Sequence, residues 1–146
     1  MPANITEIRK RAEAGSCVAQ SILGISYLHG IDVGVDYKEA FRFLSAAANQ
    51  GASRPLLNLA HMYAKELGIP QDLPQAIRLL EAVARPGASS DAFAARIELG
   101  RIFSRSLGIL ADTDAAVQWY SAAVAVAPDE DCEEVREARA YIGANS

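Results

Sequence analysis

Apolar residues recur at helical spacing along nearly the whole chain, broken by short segments rich in glycine. Between Ser16 and His29, Ala19, Ile22, Leu23 and Tyr27 fall at the spacing of one helix. Gly30 to Val35 carries two glycines and no helical pattern, which predicts a loop. Asp36 then stands as an N-cap, with Glu39 three residues on as in a capping box. Phe41, Leu44 and Ala48 continue a second helical face, and Gly51 ends it.

The same order returns twice. Leu56, Leu59 and Tyr63 predict a helix, Gly68-Ile69-Pro70 a loop, and Asp72 a cap. Pro74 falls in the first turn of the next helix, where a missing N–H is harmless. Arg85-Pro86-Gly87 closes that helix. A third unit runs from about Asp91 to Ala127, with Gly108-Ile109 in the loop and Asp112 as cap.

Measured from its aromatic, each unit repeats one ladder. Tyr27, Tyr63 and Phe103 are followed nine residues later by Asp36, Asp72 and Asp112, and thirteen later by Ala40, Ala76 and Ala116. Sixteen later come Phe43, Leu79 and Trp119, at a position expected in the core. The units start 36 and then 40 residues apart, the period of helical-pair solenoids, and four extra residues around Ala88 to Asp91 account for the longer step. The ends read as half-units: Ile5, Ile8 and Gly15 align with Phe41, Leu44 and Gly51, while Ala138 and Tyr141 are spaced like Gly24 and Tyr27. The predicted fold is all-α, an α/α superhelix of about eight helices in a single domain over residues 1–146. It comprises a cap helix over about 4–15, repeats over about 16–51, 52–87 and 88–127, and a C-terminal cap helix over about 129–143. Gly24, Ala60 and Gly100, three before each aromatic, are expected to let helices approach closely, as are Ala40, Ala76 and Ala116.

Laid out from the first helix, the unit Leu23-Gly24-x-x-Tyr27-x-x-Gly30-x-x-Val33-x-x-Asp36-x-x-x-Ala40-x-x-Phe43-x-x-x-Ala47-Ala48-x-x-Gly51 resembles the Sel-one-like repeat (SLR), a relative of the tetratricopeptide repeat with a longer inter-helix loop. The second unit keeps Leu59, Tyr63, Gly68, Ile69, Asp72, Ala76, Ala84 and Gly87. The third keeps Leu99, Gly100, Gly108, Ile109, Asp112, Ala116, Trp119 and Ala123. Gly30 has Glu66 and Ser106 as counterparts, Asp32 replaces the loop's second glycine in the first unit, and Ala127 replaces the closing glycine of the third. The resemblance implies a superhelix that binds proteins, used as an adaptor or scaffold, with the first helices lining its concave surface.

On a helical wheel, positions two before, two after and six before each aromatic point away from it. These give Ile25, His61, Arg101 and Arg139, then His29, Lys65 and Arg105, then Leu57 and Ile97 with Ser21 and Val135. With Arg54 nine before Tyr63, both histidines and five of the fourteen Lys/Arg fall on this face. The expected site is an apolar-floored groove with a basic stripe, suited to a partner segment bearing carboxylates. Lys65, Arg105 and His29 also sit in last turns, where positive charge complements the helix dipole.

Bulk composition narrows the function classes. The 146 residues are 51% apolar and 22% charged, an ordinary folded composition. A net charge of −4 speaks against a nucleic-acid binder. No segment has the ~18 consecutive apolar residues that span a bilayer, so no membrane association is expected. Cys17 and Cys132, far apart in the array, read as free thiols in a reducing cytoplasm. The histidines lack ligands at metal spacing, no phosphate loop follows a strand, and neither cysteine has an adjacent base. The expectation is a non-enzymatic protein-interaction module without metal or cofactor, a monomer or weak dimer. A small antagonist such as a toxin-immunity protein is the alternative role. From another class stands a small-anion binder or enzyme built on His61, Arg101 and Arg105.

Overall fold

The architecture is described from a computed structural model covering residues 4–85, 89–105 and 111–146. Among these residues there are eight α-helices and no strand: α1 (Ile5–Glu13), α2 (Cys17–His29), α3 (Tyr37–Asn49), α4 (Ser53–Lys65), α5 (Leu73–Ala84), α6 (Ser90–Arg105), α7 (Thr113–Ala125) and α8 (Glu133–Asn145). The expected closing residues Pro86 and Gly87, the inserted Ala88, and Ser106, Gly108 and Ile109 of the third loop lie outside the described residues.

The ladder has a backbone cause. The N–H of Asp36 donates to the carbonyl of Tyr27 at 2.9 Å, and Asp72 to Tyr63 and Asp112 to Phe103 do the same at 3.1 Å. Each cap aspartate then accepts from a backbone N–H three residues on: Glu39, Gln75 and Ala115. One residue thus closes the loop with its main chain and starts the next helix with its side chain. The capping box is only half made. Glu39 turns its carboxylate to Arg9 and Arg42 rather than back to the Asp36 N–H, which Tyr27 already occupies.

Loop geometry follows the glycine pattern even where glycine is missing. Gly30 caps α2 in the left-handed region (φ 71°), and its counterpart Glu66 caps α4 there too (φ 56°). Asp32 (φ 62°) and Gly68 (φ 74°) form the second matched pair.

The chain divides into two compact units, Met1–Ala76 and Ile77–Ser146. In the first, α2 packs on α1 and α3, and α4 on α2 and α3. Leu23, Ala40, Phe43, Leu44, Ala47, Ala60 and Met62 are buried there. Gly24 faces Leu44 so closely that a Cβ would stand 2.5 Å from Leu44 Cγ. Helix α1 is clamped by charge: Arg9 reaches Glu39 and the Tyr27 hydroxyl, and Arg42 reaches Glu13 at 2.9 Å while lying 4.2 Å over the Phe43 ring.

In the second unit α6 packs on α7 and α8. The described part of the insertion enters α6, which runs to 16 residues against 13 in α2 and α4. Ser89 accepts from the Ala92 N–H at its start, and Phe93, directly after the added residues, joins a core of Ile97, Tyr120, Ala123, Val135 and Ala138. Gly100 meets the Tyr120 ring. Trp119, expected in the core, is only half-buried; the adjacent Tyr120 is the buried ring, in line with Leu44 and Leu80. Helix α8 starts four residues later than expected, because Asp129 accepts from the Asp131 N–H in a local turn.

A polar device recurs seven residues before the aromatic. Gln20 donates to the carbonyl of Ala12 at the end of α1, and Arg96 donates to the carbonyl of Ala84 at the end of α5. Arg96 also reaches the Ala122 carbonyl in α7. Both tie a C-terminal turn, with its orphan carbonyls, to the following helix.

Candidate protein-interaction surface

The side of each first helix opposite its aromatic is a consequence of helical period and burial. In α2, the residues nine, five and two before Tyr27 are Val18, Ile22 and Ile25, one stripe at i, i+4 and i+7. Val18 is 70% exposed and Ile22 42%, while Ile25 is half-buried. His29 continues the stripe, exposed in the last turn. In α4 the matching positions are Arg54, Asn58, His61 and Lys65, with Arg54, His61 and Lys65 exposed and Leu57 half-buried beside them. Neither α2 nor α4 contains an aspartate or glutamate, in a chain that holds 18. The two helices pack directly against each other, so an apolar row runs beside a basic one.

The second unit departs from the expected stripe. Ile97 is a core residue, 2% exposed, and Val135 is fully buried. The wheel treats a helix as having one buried side, but α6 is covered by both α7 and α8, and the position six before the aromatic turns inward. Arg101 is not an open cation either. It meets Glu98 at 2.7 Å and Glu137 at 2.7 Å, with a second bond from Nε to Glu137 at 3.1 Å. Arg105 reaches the same Glu137 at 2.9 Å, and Tyr120 donates its hydroxyl to it at 3.2 Å. The Arg101 bonds hold the Glu137 carboxyl below the usual carboxylate range, against the opposing pull of burial. Burial is the main cause of the raised Tyr120 phenol. Arg139 is half exposed, 4.0 Å from Glu130.

The structure therefore gathers Arg101 and Arg105 around the protein's own carboxylate, where an external anion was expected, and His61 belongs to the other compact unit. Sequence reasoning missed Glu137 and the pair Val18 and Ile22. The signals existed. Glu137 lies four before Tyr141, where the three repeats have Leu23, Leu59 and Leu99. Val18 lies nine before Tyr27, directly opposite it on the wheel.

A Sel1 repeat model matches residues 17–51, 56–85 and 94–125. The chain belongs to the Sel1 repeat family. Sel1 repeat proteins generally mediate protein–protein interactions on a fold that is generally non-catalytic. Among curated relatives, the Sel1-repeat-containing protein YjcO of Escherichia coli (strain K12) is 31% identical over 112 residues, 77% of this chain and 48% of that protein. The chain thus spans about half the length of the curated relatives it matches. A Sel1 repeat protein from Oxalobacter formigenes superposes over 96% of this chain and 53% of its own, with TM-score 0.76 and 26% identity. The c5321 protective antigen of uropathogenic Escherichia coli, which displays an SLR fold, covers 84% of this chain and 26% of its own at TM-score 0.73 and 28% identity. This Sel1 repeat chain is all-α, and no helix among its described residues is long and apolar enough to cross a membrane.

Proposed function

We propose that this chain is a non-enzymatic adaptor that recognises a partner protein through the exposed face of α2 and α4. The observation that carries this reading is the apolar stripe of Val18, Ile22 and Ile25 on α2. Exposed apolar side chains are unremarkable singly, but three in helical register form a contact row. Leu57, His29, His61 and Lys65 border it. Arg139 remains a candidate contact of the second unit, whereas Arg101 and Arg105 serve chiefly to hold α8. Two free thiols suit a reducing, cytoplasmic setting.

The test is comparative capture. Wild-type bait and a Val18→Asp/Ile22→Asp bait are exposed to the same native extract, and any protein lost with the variant is purified and rebound. The adaptor reading expects a partner that binds the wild type directly and loses at least about tenfold in affinity with the variant. Retention of every partner by the variant bait would remove this face from consideration.

A further inference from the structure

The α2–α4 face has a chemical asymmetry that defines what fits it. Val18, Ile22 and Ile25 occupy α2, and 36 residues later Arg54, Asn58 and His61 stand at the same places on α4, with Lys65 matching His29. Adjacent packed helices lie roughly 8–10 Å apart, so the two rows are within reach of one bound helix. Val18 to His29 spans about 16 Å at ~1.5 Å per residue, or three turns of a ligand helix. An extended peptide would need backbone partners, and among the described residues no strand edge offers them. A helix satisfies its own backbone and asks only for side-chain contact.

Charge selects the kind of helix. With no carboxylate on α2 or α4, a basic ligand finds no counter-ion on either helix. A carboxylate placed over the α4 row meets Lys65 and His61 beside apolar surface, where water screens it less. The matching row of the second unit differs: Glu98 lies five before Phe103, as Asn58 lies five before Tyr63, and engages Arg101. The preference is therefore local to the first unit.

We infer that the α2–α4 face receives an amphipathic helix of a partner protein, its apolar side on Val18, Ile22 and Ile25 and its carboxylates along the flank over His61 and Lys65. The inference rests on the reading of this face as the protein-binding surface, and narrows it to one ligand chemistry.

The probe is a pair of fluorescein-labelled amphipathic peptides of about five turns, identical in their leucine row and carrying either glutamates or lysines on one flank. Binding to the whole chain is followed by anisotropy at low salt, with peptide helicity by circular dichroism. The glutamate peptide is expected to bind at least about tenfold tighter than the lysine peptide, gaining helicity, with added salt narrowing the gap. Ile22→Asp weakens both peptides. Lys65→Glu weakens only the glutamate peptide, and Arg136→Glu, on the exposed side of α8, changes neither. Equal affinity for the two peptides overturns the acidic preference; if Ile22→Asp still weakens both, the apolar docking row survives on its own. Binding untouched by Ile22→Asp, or no binding by either peptide, overturns the inference. So does binding of phosphatidylglycerol vesicles without binding of the glutamate peptide, which marks an anionic membrane surface instead. Unchanged far-ultraviolet dichroism of each variant secures the comparison.

Discussion

Arg101 and Glu137 meet side-on, Nε and Nη2 of the guanidinium both donating to the carboxylate, at 3.1 and 2.7 Å. Two parallel bonds fix the relative orientation of α6 and α8 more tightly than a single contact does. Arg105 and Tyr120 complete the shell around Glu137. A charged residue has taken a position that leucine holds in the repeats, and its partners compensate for the apolar contact given up.

Glu137 gives the second unit an acid sensitivity. Its folded carboxyl is depressed below the ordinary value, first by the Arg101 hydrogen bonds. A depressed carboxyl contributes stability above its unfolded value, and that contribution is lost as pH falls through the folded value. Glu137→Gln is expected to cost about 1–3 kcal/mol at pH 7. The gap between variant and wild type should close progressively below about pH 4.5. Thermal melts from pH 7 to pH 3 check this; parallel losses in both proteins would show that the carboxylate charge is not what matters.

Gly100→Ala is expected to destabilise despite alanine's better helix propensity. The new Cβ would stand 2.7 Å from Cδ1 and Cε1 of Tyr120, a ring only 1% exposed and held by its neighbours. Overpacking costs about 1–3 kcal/mol, against roughly 1 kcal/mol of propensity gain. Gly143→Ala in α8, whose Cβ meets nothing within 4 Å, should be neutral or stabilising. Denaturant titration of the two variants separates packing from propensity.

Glu66→Gly is expected to stabilise. Glu66 holds the left-handed cap of α4 at φ 56°, where a side chain costs about 1 kcal/mol and glycine nothing comparable. Asp32→Gly, also left-handed, should gain less, because aspartate tolerates this region. A rise in melting temperature for Glu66→Gly, larger than for Asp32→Gly, is the outcome to look for.

Arg96→Met removes three hydrogen bonds to the carbonyls of Ala84 and Ala122 while keeping most of the apolar stem. Leaving these acceptors short of donors should cost about 2–3 kcal/mol. Amide hydrogen exchange should rise at the end of α5 and in α7; unaltered protection there would mean that other donors satisfy those carbonyls.

The repeat was legible because its determinants are local. Asp36, Asp72 and Asp112 act within their own hairpins, on a carbonyl nine residues back and an N–H three residues ahead. Gly24 and Gly100 were readable as close-approach positions, although Leu44 and Tyr120, which they face, were not. What escaped is set by contacts between different helices. Arg101 looks like an open cation until Glu137, 36 residues on, is brought beside it. Ile97 looks like groove lining until α8 covers it, and Trp119 looks like core although its neighbour Tyr120 faces inward. Helical period gives the direction of a side chain on its own helix; which other helices stand in that direction is tertiary information.

The bond from each cap aspartate N–H to the aromatic carbonyl nine residues earlier sets hairpin register without reference to any other hairpin. Gene segments encoding one hairpin can accordingly be duplicated or excised without forcing its neighbours to realign. Extra residues are absorbed between hairpins, as at the start of α6, while the nine-residue interval stays constant. Array length is then an editable quantity, changed in whole modules, while the exposed rows on each first helix diverge independently.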